Sequence, residues 1–437
     1  MVLFVFAFLC SSSHLIFVDL YIIIIPNFHS FYTAMNIQLM RKIDRRIGIP
    51  FCFFLTLFHQ FFKLFKKSIL IKHPKNILFI EMSEMGSIIL AYSLFIKTQE
   101  LYPESNLYLL TFQQNKYAVD VLNIIPKNHI FTIDNRNIWI LTISTLKTLF
   151  HLRQINLDTA IDLETFSRFS AILSYLCGAK NRVGYYRFTQ EGLYKGRFLT
   201  HEVPFNPHIH MVQNMLNLIY STLTSEKGIP PTKRIPDDKD IQIPLFKPSE
   251  DILQKIQNKL TIEIPFLEKY HKIILINPNA SDIVPLRRWP VQHYIRLIHL
   301  ILKNPDPVIL ITGKASEKKQ AEKIIRAINS ERCLNFSGKT SFPELITLYH
   351  LADILITNDS GPVHFSSMTD IRTFVFFGPE TPDIFGPLGK KSHVFYKRLA
   401  CSPCVSAFNQ KQSPCKDNKC LKSITPDEVY EKVSPYL

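Results

Sequence analysis

The sequence predicts two doubly wound α/β units, each a parallel sheet flanked by helices, behind an apolar and basic N-terminal segment. Three observations carry this reading. A strand–turn–helix rhythm begins at Asn76 and begins again at Ile273. A proline-rich stretch, Gly228–Pro248 with five prolines, lies between the two runs. Short continuous apolar runs such as Ile354–Thr357 and Phe374–Phe377 fit strands buried on both faces, as an all-parallel sheet requires.

Taken in order, Met1–Pro26 is strongly apolar with only Asp19 charged, long enough to span a bilayer. It lacks the basic start and small-residue cleavage site of a secretory signal. It reads either as an anchor or as sequence upstream of a true start at Met35. Residues 35–67 form a self-sufficient amphipathic segment. Arg41, Lys42, Arg45 and Arg46 precede the apolar run Ile47–Phe62, and Lys63, Lys66 and Lys67 close it. Pro50, His59 and Gln60 interrupt the run, so it is expected to lie in a membrane interface with its basic ends on lipid phosphates. The positive flanks put the remainder of the chain on the cytoplasmic side.

In the first α/β unit, strands are expected at Ile77–Ile80, Leu107–Phe112, Ile130–Ile133, Ala160–Leu163 and Arg182–Tyr185. Helices are expected at Ile88–Leu101, Lys116–Ile124, Ile138–Leu152, Ser167–Cys177 and His208–Leu223. Gly178 stands where a helix ends in a left-handed residue. The second unit repeats the pattern, with strands at Ile273–Ile276 and Val308–Ile311 and helices at Val291–Leu302 and Glu317–Asn329. Ser316 is the expected cap of the last of these. Ser341–Glu344 and Thr425–Glu428 are capping-box patterns. The resulting division is 1–70 membrane-associated segment, 75–227 first unit, 228–270 linker and edge, 271–424 second unit. A C-terminal helix, 425–437, is expected to pack back on the first unit.

At 437 residues the chain can bury two full cores. The formal net charge of +15 raises the question of nucleic acid, but the charge is localised. Nine Lys or Arg and one acid, Asp44, fall between Arg41 and Lys75, beside an apolar run. That favours an anionic membrane surface and argues against a nucleic-acid groove. Cys10, Cys52, Cys177 and Cys333 sit in apolar or helical contexts and four more cysteines cluster near the C-terminus, which implies a reducing compartment.

The richest stretch is Ala352–Pro379. Strand Ile354–Thr357 runs into Asn358-Asp359-Ser360-Gly361-Pro362, where Ser360 suits a helix N-cap and Pro362 the first turn. This turn lies at the carboxyl edge of a parallel sheet, where open α/β sheets bind ligands, and a helix N-terminus there suits phosphate.

Several motifs together resemble glycosyltransferase family 9, the bacterial ADP-heptose:lipopolysaccharide heptosyltransferases, from about residue 75 onward. They are Asn358–Pro362 with His364, then Phe377-Gly378-Pro379-Glu380-Thr381-Pro382 and Phe385-Gly386-Pro387. Asn277–Ser281 resembles the family's His-Pro-Gly-Ala-Ser loop, and Arg287-Arg288-Trp289-Pro290 its Lys-Arg-Trp-Pro. Ser83-x-x-Gly86 resembles its N-terminal turn and Asp162-Leu163-Glu164 a later segment.

The resemblance implies a two-domain GT-B fold and an inverting transferase without a required metal or other cofactor. It implies a nucleotide-diphosphate sugar on the C-terminal domain and a lipopolysaccharide-core or other lipid-linked acceptor on the N-terminal one. The work would be done at the cytoplasmic face of the inner membrane. Such chemistry must stabilise a departing diphosphate, here by N–H groups at Ser360, Gly361 and Val363 and a guanidinium. Arg287, at the family's lysine position, is the first candidate and Arg288 the second, since Arg holds phosphate bidentately.

Asp359 matches a residue contacting donor sugar hydroxyls. Glu317 falls near the family's ribose-binding acid, after Thr312-Gly313-Lys314, and Asn279 and Ser281 complete the expected donor set with Pro362. His364 is expected to be structural. Ser87 stands where the family has its catalytic Asp and cannot act alone as a base, so Glu84 is the expected substitute and Glu81 a weaker one. If neither reaches, the chain is a nucleotide-sugar-binding relative with little turnover. Cys401, Cys404, Cys415 and Cys420 are open to structural zinc, disulfides or free thiols.

Overall fold

The computed structural model describes residues 37–65, 70–187, 192–223, 233, 236–264 and 267–437. The Met1–Pro26 run, Met35, Cys10, Lys66, Lys67 and the first part of the proline-rich stretch (228–232, 234 and 235) lie outside these. Two helices come first, α1 (Ile37–Arg46) and α2 (Gly48–Phe65).

The first sheet consists of β1 (Asn76–Ile80), β2 (Asn106–Phe112), β3 (Ile130–Ile133), β4 (Thr159–Asp162), β5 (Asn181–Tyr185) and β6 (His201–Val203). Its spatial order is β3-β2-β1-β4-β5-β6, and every neighbour pair is parallel. Its helices are α3 (Met85–Leu90), α4 (Tyr92–Leu101), α5 (Lys116–Leu122), α6 (Ile138–Gln154), α7 (Arg168–Leu176) and α8 (Met211–Tyr220). After α9 (Glu250–Glu263) the second sheet is built from β7 (Lys272–Asn277), β8 (Pro307–Ile311), β9 (Cys333–Asn335), β10 (Ile354–Asn358), β11 (Arg372–Phe376) and β12 (Ser392–Phe395). The order β12-β11-β10-β7-β8-β9 reproduces the first sheet's topology, again all parallel. Its helices are α10 (Val291–Ile301), α11 (Lys318–Ile328), α12 (Phe342–Leu351), α13 (Gly361–Ser366), α14 (Pro382–Phe385), α15 (Lys419–Lys422) and α16 (Pro426–Val433).

The strands are the short apolar runs of the sequence, and their central residues, Ile77–Ile80 and Ile354–Ile356 among them, are almost fully buried. Order reverses beside β1 and β4 in one sheet and beside β7 and β10 in the other. Those are the switch points at which such sheets open a ligand crevice. The two carboxyl edges meet directly through α3 and α13. A side chain on Gly86 would stand 2.6 Å from the His364 ring and 3.6 Å from the Cα of Gly361, so glycine is what lets the two halves touch here.

Several expectations change. The helix expected at Ile88–Leu101 begins at Met85 and breaks at Ala91, with no glycine or proline to announce it. Ser316 is not a cap, because Glu317 turns back to accept the Lys314 N–H at 2.7 Å and opens a short 3-10 turn first. The stretch 228–270 holds α9, whose Ile256 and Leu260 are buried. Its Lys255 meets Glu344 of α12 at 2.8 Å. That apolar pair four residues apart was masked by the prolines before it. The C-terminal helix α16 packs on α10 of its own unit, with Val429 and Val433 in the second core and Asp427 bonded to Arg296.

The N-terminal segment departs most. The chain turns at Ile47, and α1 is folded onto the protein. Arg41 does not reach outward to lipid but donates to the Ile283 carbonyl at 3.0 Å, and Asp44 pairs with Arg168 at 2.8 Å. α2 rests on α7 through Cys52 and Leu55 and leaves its other face bare.

The loops at the second switch point are fixed by one amide. Buried Asn358 accepts from the Trp289 N–H at 2.8 Å and the Tyr294 hydroxyl at 3.0 Å, and donates to the Asn279 carbonyl at 3.1 Å. Asn358→Ala would strand all three groups away from water, and a buried unpaired polar group costs about 1–3 kcal/mol. The expected result is a stability loss of about 3 kcal/mol in urea unfolding; a loss under about 0.5 kcal/mol would show that the loops hold without it.

Candidate active site

A cleft of about 2120 Å³ opens between the two carboxyl edges. Four loops supply its charged floor: Glu84 follows β1, Arg287 follows β7, Asp359 follows β10 and Glu380 follows β11. Lys411 arrives from the cysteine-bearing loop before α15. Arg287 is buried among three acids, with Glu380 at 3.6 Å, Glu84 at 3.7 Å and Asp359 at 3.9 Å. Lys411 lies 3.3 Å from Glu84 and 3.6 Å from Glu380. Glu84 and Glu380 therefore each bridge the same two cations. Glu84 alone comes from the first unit.

The cluster sets two cations against three carboxyls and is short of hydrogen bonds. Arg287 Nε, Asp359 Oδ2, both Glu380 carboxylate oxygens and His364 Nδ1 have no hydrogen-bond partner. Buried polar groups are nearly always paired, so such a concentration marks a place where a ligand completes the bonding.

Burial lifts the Asp359 carboxyl to about 7, Arg287 opposing the rise and Glu380 adding to it. Burial works against ionisation at Glu84 too, but Lys411 and Arg287 outweigh it and hold that carboxyl below its ordinary value. Burial pushes His364 down to about 3, with His210 adding to the fall, so its ring is neutral. Its ring packs against Gly86 and also lines the cleft.

The structure gathers most of the expected residues at the cleft. Glu84, Ser87, Asn279, Ser281, Arg287, Arg288, Glu317, Asp359, Ser360, Gly361 and Pro362 all line it. Thr312 and Val363 do not. Thr312 is buried and its N–H is bonded to the Ile276 carbonyl at 2.9 Å, while its neighbour Gly313 faces the cleft. Val363 is a core residue whose N–H donates to the Ser360 carbonyl at 3.0 Å.

Pro362 has no N–H, so Ser360 and Gly361 are left as the unpaired donors of this turn. α13 spans six residues, which makes its dipole a minor contributor beside a buried guanidinium. Arg288 is committed to its own loop, donating to the Ala280 carbonyl at 2.8 Å and pairing with Asp282, both of which also line the cleft. Glu317 accepts from its own turn, with its carboxylate packed near Gly313 and Asn279.

Glu81, the weaker alternative base, does not line the cleft. Burial and the charge of Glu164 raise its carboxyl well above the ordinary value. Glu164 is itself committed, accepting from the Met82 and Ser83 N–H groups at 2.9 and 2.7 Å.

Lys411 and Glu380 were missed as site residues. Glu380 sat inside a quoted motif, two residues past the glycine that breaks the chain after β11. Lys411 carried no local signal: it lies 327 residues from Glu84, in a loop closed by its own N–H to the Ser406 carbonyl at 2.9 Å. The neighbouring cysteines serve that loop. All seven described cysteines are free; Cys404 accepts from the Ser413 hydroxyl at 3.1 Å and Cys415 from the Asn418 N–H at 3.3 Å. Among the described residues no group of three His, Cys, Asp or Glu side chains is arranged to hold a metal.

Comparison with known proteins agrees with this geometry. The family model of glycosyltransferase family 9 (heptosyltransferase) matches residues 146–414. Lipooligosaccharide heptosyltransferase 2 of Campylobacter jejuni subsp. jejuni serotype O:2 is 30% identical over 202 residues, 46% of this chain and 58% of its own length. The serotype O:6 relative is also 30% identical, over 41% of this chain and 56% of its own, so the matched stretch spans a little over half of these two relatives. Lipopolysaccharide heptosyltransferase 2 of Escherichia coli K12 is 25% identical over 373 residues, 83% of this chain and 98% of that one.

Among solved structures, E. coli ADP-heptose lps heptosyltransferase II superposes with a TM-score of 0.63 at 21% identity, covering 83% of this chain and 98% of its own. E. coli heptosyltransferase WaaC with ADP gives 0.56 at 14% identity, over 83% and 100%. These two likenesses establish the shared two-domain GT-B fold. With a matching family model over more than half its length, this chain belongs to glycosyltransferase family 9, the heptosyltransferases.

Proposed function

We propose that the protein transfers a heptose-like sugar from a nucleotide diphosphate donor, of the ADP-heptose type, to a lipopolysaccharide-core acceptor, with inversion at the anomeric carbon. The observation that carries this is Arg287: a buried guanidinium with an unbonded Nε, facing a cleft between two Rossmann-like units. Family membership supports the reading, as do relatives whose printed names are heptosyltransferases. The donor lies along the second unit, its base end near Gly313 and Glu317 and its diphosphate at Arg287 and the Ser360 and Gly361 amides. Asp359 faces the sugar hydroxyls. Arg287 and those amides neutralise the charge that develops as the glycosidic bond to the diphosphate breaks. No metal or other cofactor is assigned a role.

Glu84 is the proposed base, the one cluster acid on the acceptor-side unit. Lys411 and Arg287 keep it ionised, which makes it available at neutral pH but weakly basic. An arriving diphosphate draws Arg287 toward itself, weakens that hold and makes Glu84 a better acceptor of the hydroxyl proton. Ser87 lines the cleft nearby and can orient the acceptor but not take its proton. The protein is placed at the cytoplasmic face of the inner membrane, with α2 as the peripheral contact.

Glu84→Gln is expected to lower kcat by roughly 10²-fold or more, the usual worth of a general base. Calorimetry should find donor binding retained. A variant keeping more than a tenth of the wild-type rate would remove Glu84 from the mechanism. Arg287→Ala should cost a comparable roughly 10²–10³-fold, with Arg287→Lys recovering part of it; equal loss in both would argue against a charge role.

Asp359 sets a pH dependence. Below about pH 7 its carboxyl is protonated, and above that its added negative charge repels the diphosphate. Donor affinity should therefore fall several-fold from pH 6 to pH 8 by titration calorimetry. Asp359→Asn should flatten the profile, and a profile with the same slope in both proteins would sink the assignment.

A further inference from the structure

One helix face of the first unit takes no part in sugar transfer. Helix α6 packs its inner face through Leu149 and Leu152, yet it leaves Trp139, Ile143, Leu146 and Phe150 exposed at 48%, 65%, 45% and 59%. Spacings of four, three and four residues put these side chains in one stripe along the helix. A water-facing helix would carry charge there. Across the cleft mouth, α2 bears a broader bare face that includes Phe54, Leu57, Phe61 and Phe65.

Both helices reach the cleft. Ile47 at the start of α2, and Trp139 and Leu146 of α6, are exposed and also line the cleft together. The mouth of the cleft thus opens between two apolar faces. The exposed charges carried by α1, α2 and α6 have one sign. Lys42, Arg45 and Arg46 on α1, Lys63 on α2 and Lys147 on α6 are exposed, and neither α2 nor α6 contains an acid. Asp44, the one acid of α1, is spent on Arg168.

We propose that the α6 stripe is a second membrane anchor, so that α2 and α6 both sit in an anionic lipid monolayer and the cleft opens directly onto that monolayer. The occupant is a bilayer surface, since apolar faces rimmed by cations match acyl chains beneath anionic headgroups. A lipid-linked acceptor then enters the cleft from the lipid side without leaving the membrane. The inference rests on the reading of this chain as one that works at a membrane, and adds where and how it sits.

Tryptophan emission tests it. The chain has two tryptophans: Trp289 is buried at 1% exposure, and Trp139 lies on the stripe. The full chain is mixed with vesicles of equimolar phosphatidylcholine and phosphatidylglycerol whose acyl chains carry bromine. Emission from Trp139 should drop about twofold, because an interfacial helix lies roughly 5–10 Å into the headgroup–acyl boundary.

Ile143→Glu with Phe150→Glu should abolish the quenching and weaken sedimentation with vesicles roughly tenfold or more. Ile143→Ala with Phe150→Ala should give an intermediate loss without added charge. Vesicle binding with Trp139 unquenched overturns the α6 anchor and leaves the membrane reading standing. Absence of binding overturns both. A concentration-dependent shift of Trp139 emission without lipid would mean that the stripe meets a second copy of the chain, which also overturns the proposal.

Discussion

Everything at the cleft depends on a network of opposite charges held with little water. Arg287 and Lys411 are shared among Glu84, Glu380 and Asp359 at 3.3 to 3.9 Å, contacts of which only Lys411 to Glu84 is also a hydrogen bond. Removing charges from water is costly, and only mutual compensation makes it tolerable. The cluster is therefore both a fastening and an unsaturated site. It joins the first unit to the second through Glu84, and it keeps a guanidinium nitrogen unbonded where an anion would bond it.

That arrangement explains why the two sheets can be so alike and still do different work. Both are six-stranded and parallel with the same order, and both deliver loops to the crevice from their carboxyl edges. The second unit brings the cations and most of the acids. The first brings Glu84 and, through Gly86, a backbone surface narrow enough to accept the His364 ring. Asn358 keeps the second unit's loops in register by spending every hydrogen bond of its amide on them.

Much of the fold was readable because parallel sheets buried on both faces demand short apolar runs, and these stand out against the turns. The places of Glu84, Arg287 and Asp359 at the cleft were readable because each follows a strand end inside a recognisable turn. Thr312 and Val363 fall outside the cleft for a related reason. Next to a strand end, one residue faces the crevice and its neighbour faces the core, and sequence gives no register for that alternation. Lys411 was invisible because its partners are assembled by tertiary structure alone. α9 was overlooked because prolines upstream outweighed the spacing of Ile256 and Leu260. The basic residues of α1 looked alike in sequence, but Arg41 is directed inward by the Ile283 carbonyl while Lys42 stays outside.

The close meeting of Gly86 with the His364 ring limits how the molecule can move. With the His364 ring seated where a Gly86 side chain would stand, the halves cannot approach further at that point. Any rocking of one unit over the other must pivot about this contact or pull it apart. The space needed to admit or release a bulky sugar must then come from widening at the far rim.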